Sequence, residues 1–283
     1  MRATLLLVFF VLSLVSDDYE TWHQRRIESL RSEDGWLNLA GLFWLKEGGN
    51  SFGSDQSKPI VFPAKMPKTM GLLTLEDGKV SLKAQNSVNI QLLNTTTTTP
   101  DYVFENGKTI TMQYGTYRWF IIKRGTKYGV RLRDLAHPAL ANFKGVARFS
   151  INENWKIVAS FEKPQTPRTI TITDVVGTVS QQPLVGHAVF KYQGKVYRLA
   201  ATDAGDGKLF IIFKDKTAGH ETYGAGRFLY PEMPNDKNEV ILDFNKAINP
   251  PCAFSPYATC PLPPAENNLI IRIEAGEKDA EMH

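Results

Sequence analysis

From residue 37 onward, apolar and polar positions alternate in short runs, each closed by a turn. The runs are LNLAGLFWL (37–45), GLLTLEDGKVSLKA (71–84), KTITMQY (108–114), RWFIIK (118–123), YGVRLRD (128–134), WKIVASFEK (155–163) and RTITITDVVG (168–177). They continue with AVFKYQGKVYRLAA (188–201), KLFIIFKD (208–215), RFLY (227–230), EVILDFN (239–245) and NLIIRIEAG (268–276). A period of two with β-branched and aromatic residues predicts strands. Asp77-Gly78, Asn106-Gly107 and Gln193-Gly194 tolerate positive φ and predict tight hairpins between such runs. One stretch differs: Tyr19 to Arg31 has Trp22, Ile27 and Leu30 near helical spacing and no Gly or Pro, which predicts an amphipathic helix. Strand following strand without helices between excludes a parallel α/β sheet. The expected fold is all-β, an antiparallel meander closed into a sandwich or barrel, with one N-terminal helix.

Ahead of the helix, Thr4 to Val15 is almost wholly apolar, follows Met1-Arg2 and ends at Ser16 before Asp17-Asp18. A run of this length is too short for a membrane-crossing helix and fits a signal peptide, residues 1–16. The expected product is secreted or periplasmic, with no membrane span in the mature chain. Residues 17–283 read as a single β-rich domain, because no linker separates halves; Thr95 to Thr99 reads as a loop. With 42% hydrophobic residues the chain can bury a core, which excludes disorder. A formal charge of +4 without a Lys/Arg stripe gives no reason to expect a nucleic-acid partner.

The two cysteines, Cys252 and Cys260, stand close together in a proline-rich stretch, and in an oxidising compartment the simplest expectation is a disulfide. Gly49-Asn50-Ser51-Phe52-Gly53 matches the nucleophile-elbow pattern, but Pro59 and Pro63 follow where the elbow needs a helix, so the glycines read as shaping a turn. Metal-ligand spacings are missing, His220 is a lone turn histidine, and neither a metal nor a cofactor is expected. Trp36, Phe43, Trp44 and Trp119 could supply binding platforms, although aromatics in β proteins mostly serve the core and at least three of the four are expected to be buried.

The last quarter carries the densest chemistry. Asp243 and Asn245 share a face in strand geometry. Asp215, Thr217, Tyr223 and Arg227 surround the preceding turn, and Asn249, Asn267 and Glu277 follow, the last at the end of the final strand. Acid, amide, hydroxyl and guanidinium groups at strand ends could form a polar pocket. Turn capping and simple ion pairing explain the same residues equally well.

The stretches GWLNLAGLFWLKEGGNSFGSD, RWFIIKRGTKYGVRLRD and DFNKAINPPCAFSPYATCPLPPAENNL with AGEK resemble the mainly bacterial family labelled domain of unknown function 1684, from about Trp22 to Lys278. The resemblance implies no activity, substrate or cofactor. Its motif residues fall on Arg133, Asp134, Asp215, Thr217, Tyr223, Arg227, Asp243, Asn245, Asn249, Cys252, Cys260, Asn267 and Glu277. Relatives that keep both cysteines without a leader leave a thiol or metal role open.

Ranked first is a hydrolase or lyase acting on a small polar or glycan-like substrate. Asp243 or Glu277 would be its acid or base, Arg227 its charge stabiliser and Tyr223 its proton relay; Asp215, Thr217, Asn245, Asn249, Asn267, Arg133 and Asp134 would bind the ligand. The alternatives are a non-catalytic ligand- or glycan-binding module and a thiol or metal site at the cysteines.

Overall fold

The structure, a computed structural model, describes residues 18–98 and 100–280. The expected leader lies outside the described residues. Although the sequence shows no linker, the chain is arranged as two compact units, one of residues 33–143 and the other of the described residues up to 32 with 144–280.

The 33–143 unit holds β1 (Leu39–Trp44), β2 (Gly48–Gly53), β3 (Ile60–Val61), β4 (Gly71–Glu76), β5 (Lys79–Ala84) and β6 (Gln91–Leu93). It continues with β7 (Phe104–Glu105), β8 (Lys108–Thr109), β9 (Thr111–Tyr114), β10 (Tyr117–Arg124) and β11 (Lys127–Asp134). These strands form a five-stranded sheet in the order β1-β11-β10-β9-β6 and a six-stranded sheet in the order β3-β2-β4-β5-β7-β8. The alternating inward residues pack Phe52, Phe62, Leu73, Val130 and Leu132 around Trp119. Of the four aromatics considered as platforms, only Trp119 is fully buried, so the expectation of three is corrected. Trp36 and Trp44 are half-buried under the guanidinium of Arg131 and the ammonium of Lys127, and Phe43 leans on Phe62. Ser51 sits within β2, paired opposite Leu72 in an antiparallel ladder, so there is no elbow.

The second unit begins with helix α1, residues 18–31, which buries Ile27 and Leu30 as its spacing predicts, and Tyr19 besides, while Trp22 is only half-buried. Then come β12 (Lys156–Glu162), β13 (Thr169–Thr173), β14 (Val179–Pro183), β15 (Gly186–Tyr192), β16 (Lys195–Gly205), β17 (Lys208–Phe213), β18 (Arg227–Leu229) and β19 (Glu239–Asp243). Six of them form a sheet in the order β18-β17-β16-β15-β12-β19, and β13 and β14 form a separate hairpin. Phe161, Phe190, Leu199, Ile211, Phe213, Leu242 and Phe244 fill its core. The strand pairings are antiparallel except the short β2–β3 contact, and the sheets curl into half-barrels. All three expected hairpin turns form, with both central residues at positive φ.

One predicted strand does not form. Residues 268–276 run extended with alternate residues buried but form no named strand: a short parallel backbone contact with residues 214–216 gives way, from Ile273 on, to bonding by buried side chains. The Asp215 carboxylate accepts from the Ile273 amide at 2.7 Å, and Arg227 donates to the carbonyls of Ile273 at 3.0 Å and of Ala275. Glu277 therefore follows an irregular segment, not a strand end.

Candidate functional site

Asp215, Thr217 and Arg227 do come together, but inside the core. The loop leaving β17 turns back so that Thr217 donates its amide (3.2 Å) and hydroxyl (2.9 Å) to the Asp215 carboxylate, while Thr217 and Thr222 hydroxyls lie 2.9 Å apart. Arg227, 1% exposed, contacts the same carboxylate at 3.2 Å and lies 5.2 Å over the Phe213 ring. Burial holds the Arg227 guanidinium below its usual range, and Asp215 opposes that shift. Each partner of this ion pair also bonds the 271–277 backbone. The pair therefore satisfies backbone groups of residues 273–277 that the short parallel contact with residues 214–216 does not reach.

Glu277, also 1% exposed, is fixed as firmly. One oxygen accepts from Arg26 Nε of α1 at 3.0 Å and the other from the Asn249 amide at 2.6 Å. Asn249 donates its side-chain amide to the Lys278 carbonyl at 2.6 Å, and its own carbonyl accepts from Arg26 at 2.9 Å. The cluster ties α1 to the C-terminal segment. Asn267 is likewise structural: it exchanges two hydrogen bonds with the Ala200 backbone, at 2.7 and 2.9 Å, and donates to the Ile212 carbonyl at 2.8 Å.

Arg133 and Asp134 belong to the other unit. Arg133 donates to the Gly35 carbonyl and to Asn38 Oδ1, and burial lowers its pKa. Asp134 accepts from the Thr116 hydroxyl and the Ala136 amide, both at 2.9 Å, which closes a turn. Tyr223 is half-buried, and burial together with Cys252, Cys260 and Asp279 pushes its phenol up to about 12. A phenol held neutral so far above neutral pH is a poor proton relay. The cysteines lie side by side: each amide points at the other's sulfur, at 3.0 and 3.3 Å, and the sulfurs are 2.5 Å apart, not joined as a disulfide. The expected bridge is thus absent from this structure. Among the described residues, no three His, Cys, Asp or Glu side chains gather as a metal site.

Of the predicted catalytic residues, Asp243 lines an open cleft. Its two oxygens are engaged: one accepts from Tyr19 OH of α1 at 2.8 Å, the other from the Asn245 amide at 3.2 Å and side chain at 3.1 Å. The two residues meet as expected, though through a 3₁₀ turn at Phe244–Lys246 instead of a continuing strand. Asn245 in turn pairs with the Asn152 backbone at 3.0 and 3.1 Å. Burial and the neighbouring Asp243 raise the Tyr19 pKa, so its proton stays on the phenol.

That cavity, a cleft of about 840 Å³, is the feature sequence reasoning missed. Its helical wall presents Trp22, Arg25, Arg26 and Ser29, and the opposite walls come from the β16–β17 turn, the end of β18 and β19. Residues 22, 25, 26 and 29 repeat at i, i+3, i+4 and i+7, which is one face of a helix. The β16–β17 turn is an Asp206-Gly207 hairpin, both residues at positive φ, of the kind read at three other places. Tyr230, 42% exposed, stacks on Phe210 with ring centroids 5.1 Å apart. Burial lifts its phenol to about 12, against the opposing charge of Arg26. Lys156, Lys208, Lys246, Asp206, Glu232, Glu239, Asn235 and Asp243 supply the polar remainder. The signal available in the sequence is weak: Trp22 stands three residues before Arg25 and seven before Ser29, on one helix face.

Residues 141–278 match the model of a family described as a protein of unknown function, DUF1684, a shorter span than the resemblance in the sequence covers. No curated protein matches the sequence. Among solved structures, the solution NMR structure of an uncharacterized protein from Haloarcula marismortui is 28% identical, covers 50% of this chain and 80% of its own, and has a TM-score of 0.43.

Proposed function

We propose that the chain, whose residues 141–278 match the model of the DUF1684 family of unknown function, is a non-catalytic module that binds a small glycan-like ligand in the cleft between α1 and the β16–β19 sheet. The observation that carries this reading is the lining of the cleft. Two aromatic side chains, Trp22 and Tyr230, stand among acids, amides and cations of nearly balanced charge. Sugar rings stack their apolar faces on such rings while their hydroxyls exchange hydrogen bonds with such groups.

Hydrolysis is less well supported. Glu277 has both oxygens committed in the core, which leaves Asp243 without its expected acid-base partner. The other carboxylate of β19, Glu239, lies four residues away along the strand, roughly 13 Å by strand geometry. Glycosidic carboxylates stand about 5–9.5 Å apart. The leader reading adds that the module is secreted or periplasmic.

The test is a glycan-array screen followed by calorimetric titration of the best ligand against wild type, Trp22→Ala and Tyr230→Ala. Binding that weakens at least about tenfold in either variant supports the reading. Binding unchanged in both, or no glycan bound by the wild type, overturns it.

A further inference from the structure

Resting on that reading, we infer that the cleft is built for an acidic sugar: a hexuronate-type unit whose ring stacks on Trp22 and whose carboxylate is held by Arg25. The cations of the lining are not equivalent. Arg26 is committed to Glu277 at 3.0 Å, Lys208 faces Glu232 at 3.6 Å and Lys246 faces Asp18 at 3.5 Å. Arg25 and Lys156 differ: among the described residues, neither has a carboxylate oxygen within 4.0 Å.

The acids of the lining are mostly engaged. Asp243 accepts from Tyr19 and Asn245, Glu239 accepts from Asn235 at 3.2 Å, and Glu232 faces Lys208. Asp206, at the tip of the β16–β17 turn, is the acid without such a partner among the described residues. A ligand with one carboxylate therefore meets two cations without an ion-pair partner among the described residues, Arg25 and Lys156, against one such acid, Asp206.

Placement favours Arg25 as the carboxylate partner. It lies three residues from Trp22 on one helix face, so its guanidinium and the indole are neighbours. A guanidinium offers two parallel N–H donors that match a carboxylate fork. Ser29 follows one turn on from Arg25 and can bond a ring hydroxyl. Lys156 sits opposite Asp243 in the β12–β19 register, so that acid moderates its charge and it is the weaker attractor.

The experiment is calorimetric titration of the secreted chain with oligogalacturonate trimer and with the carboxyl-reduced trimer, which has the same linkage and no charge. The acidic trimer should bind at least about tenfold more tightly at low salt. Arg25→Gln should erase that difference, the acidic trimer losing far more affinity than the neutral one. Lys156→Gln should change it by less. If both trimers bind wild type equally, or if Arg25→Gln leaves the preference intact, the acidic-sugar inference fails while the glycan-binding reading stands. If neither trimer binds and the glycan array is also blank, both fail together.

Discussion

Arg227 and Asp215 carry opposite charges in a place where water does not reach, and each is bonded to the 271–277 backbone as well as to the other. Removing one partner of such a pair leaves an uncompensated buried charge, which costs about 3–5 kcal/mol. Arg227→Ala is therefore expected to lower unfolding free energy by that amount in urea titration, and Arg227→Lys to recover little of it, because a single ammonium cannot span several carbonyls. A loss below about 1 kcal/mol would contradict the structural role. The preceding glycines are part of the same device. Gly276 has φ of 78°, and a Cβ there would stand 2.6 Å from the Ala247 carbonyl oxygen; Gly226 has φ of 99° and would meet the Phe213 carbonyl at 2.5 Å. Gly276→Ala should destabilise by roughly 1–3 kcal/mol, read as a lowered melting temperature. A variant that melts with wild type would show that the segment relaxes freely.

At the scale of elements, α1 has two faces with different work. One face packs Tyr19, Ile27 and Leu30 inward, and the other presents Trp22, Arg25 and Ser29 to the cleft. His23 lies on this helix with burial and the charges of Arg148 and Arg26 pulling its pKa below 6.5, against the smaller opposing pull of Glu277 and Glu20. The folded chain therefore prefers His23 neutral. Above the ordinary value the group is neutral folded or unfolded and has no effect. As pH falls below it the unfolded chain takes up the proton first, and stability declines. Unfolding at pH about 7.5 and about 5 should show a smaller acid loss in His23→Gln than in wild type. Equal losses would place the acid sensitivity elsewhere. Helix, hairpins and most strands were legible because each depends on local period or turn chemistry. Residues 268–276 looked like a strand for the same reason, and they are extended. Their backbone is held by a short parallel contact with residues 214–216 and, from Ile273 on, by the side chains of Asp215 and Arg227, more than forty residues earlier in the chain, and local pattern says nothing about such pairing.

For the molecule as a whole, the chemistry visible in the sequence and the chemistry available to a ligand are largely different residues. The last-quarter cluster is dense in polar groups. Its density serves loop closure, since Thr217, Asn245, Asn249 and Asn267 each bond backbone or a neighbouring carboxylate. The cleft was illegible because its walls come from residues 22–29, 204–208, 229–248 and 156, which no spacing rule connects. Among the described residues no helix is long and apolar enough to cross a membrane. The leader reading carries a further expectation: if the chain is exported, mass spectrometry of protein recovered outside the cytoplasm should find a chain starting at Asp17, and a retained Met1 would contradict the leader. The most direct test of the central claim is an amide and indole NMR titration of the chain with oligogalacturonate. Shifts confined to Trp22, Arg25, Ser29, the Asp206 turn and Tyr230, with the Asp215–Arg227 region unmoved, are the predicted result. Shifts centred on Asp215, Arg227 and Glu277 would instead make the buried network the binding site and contradict the assignment.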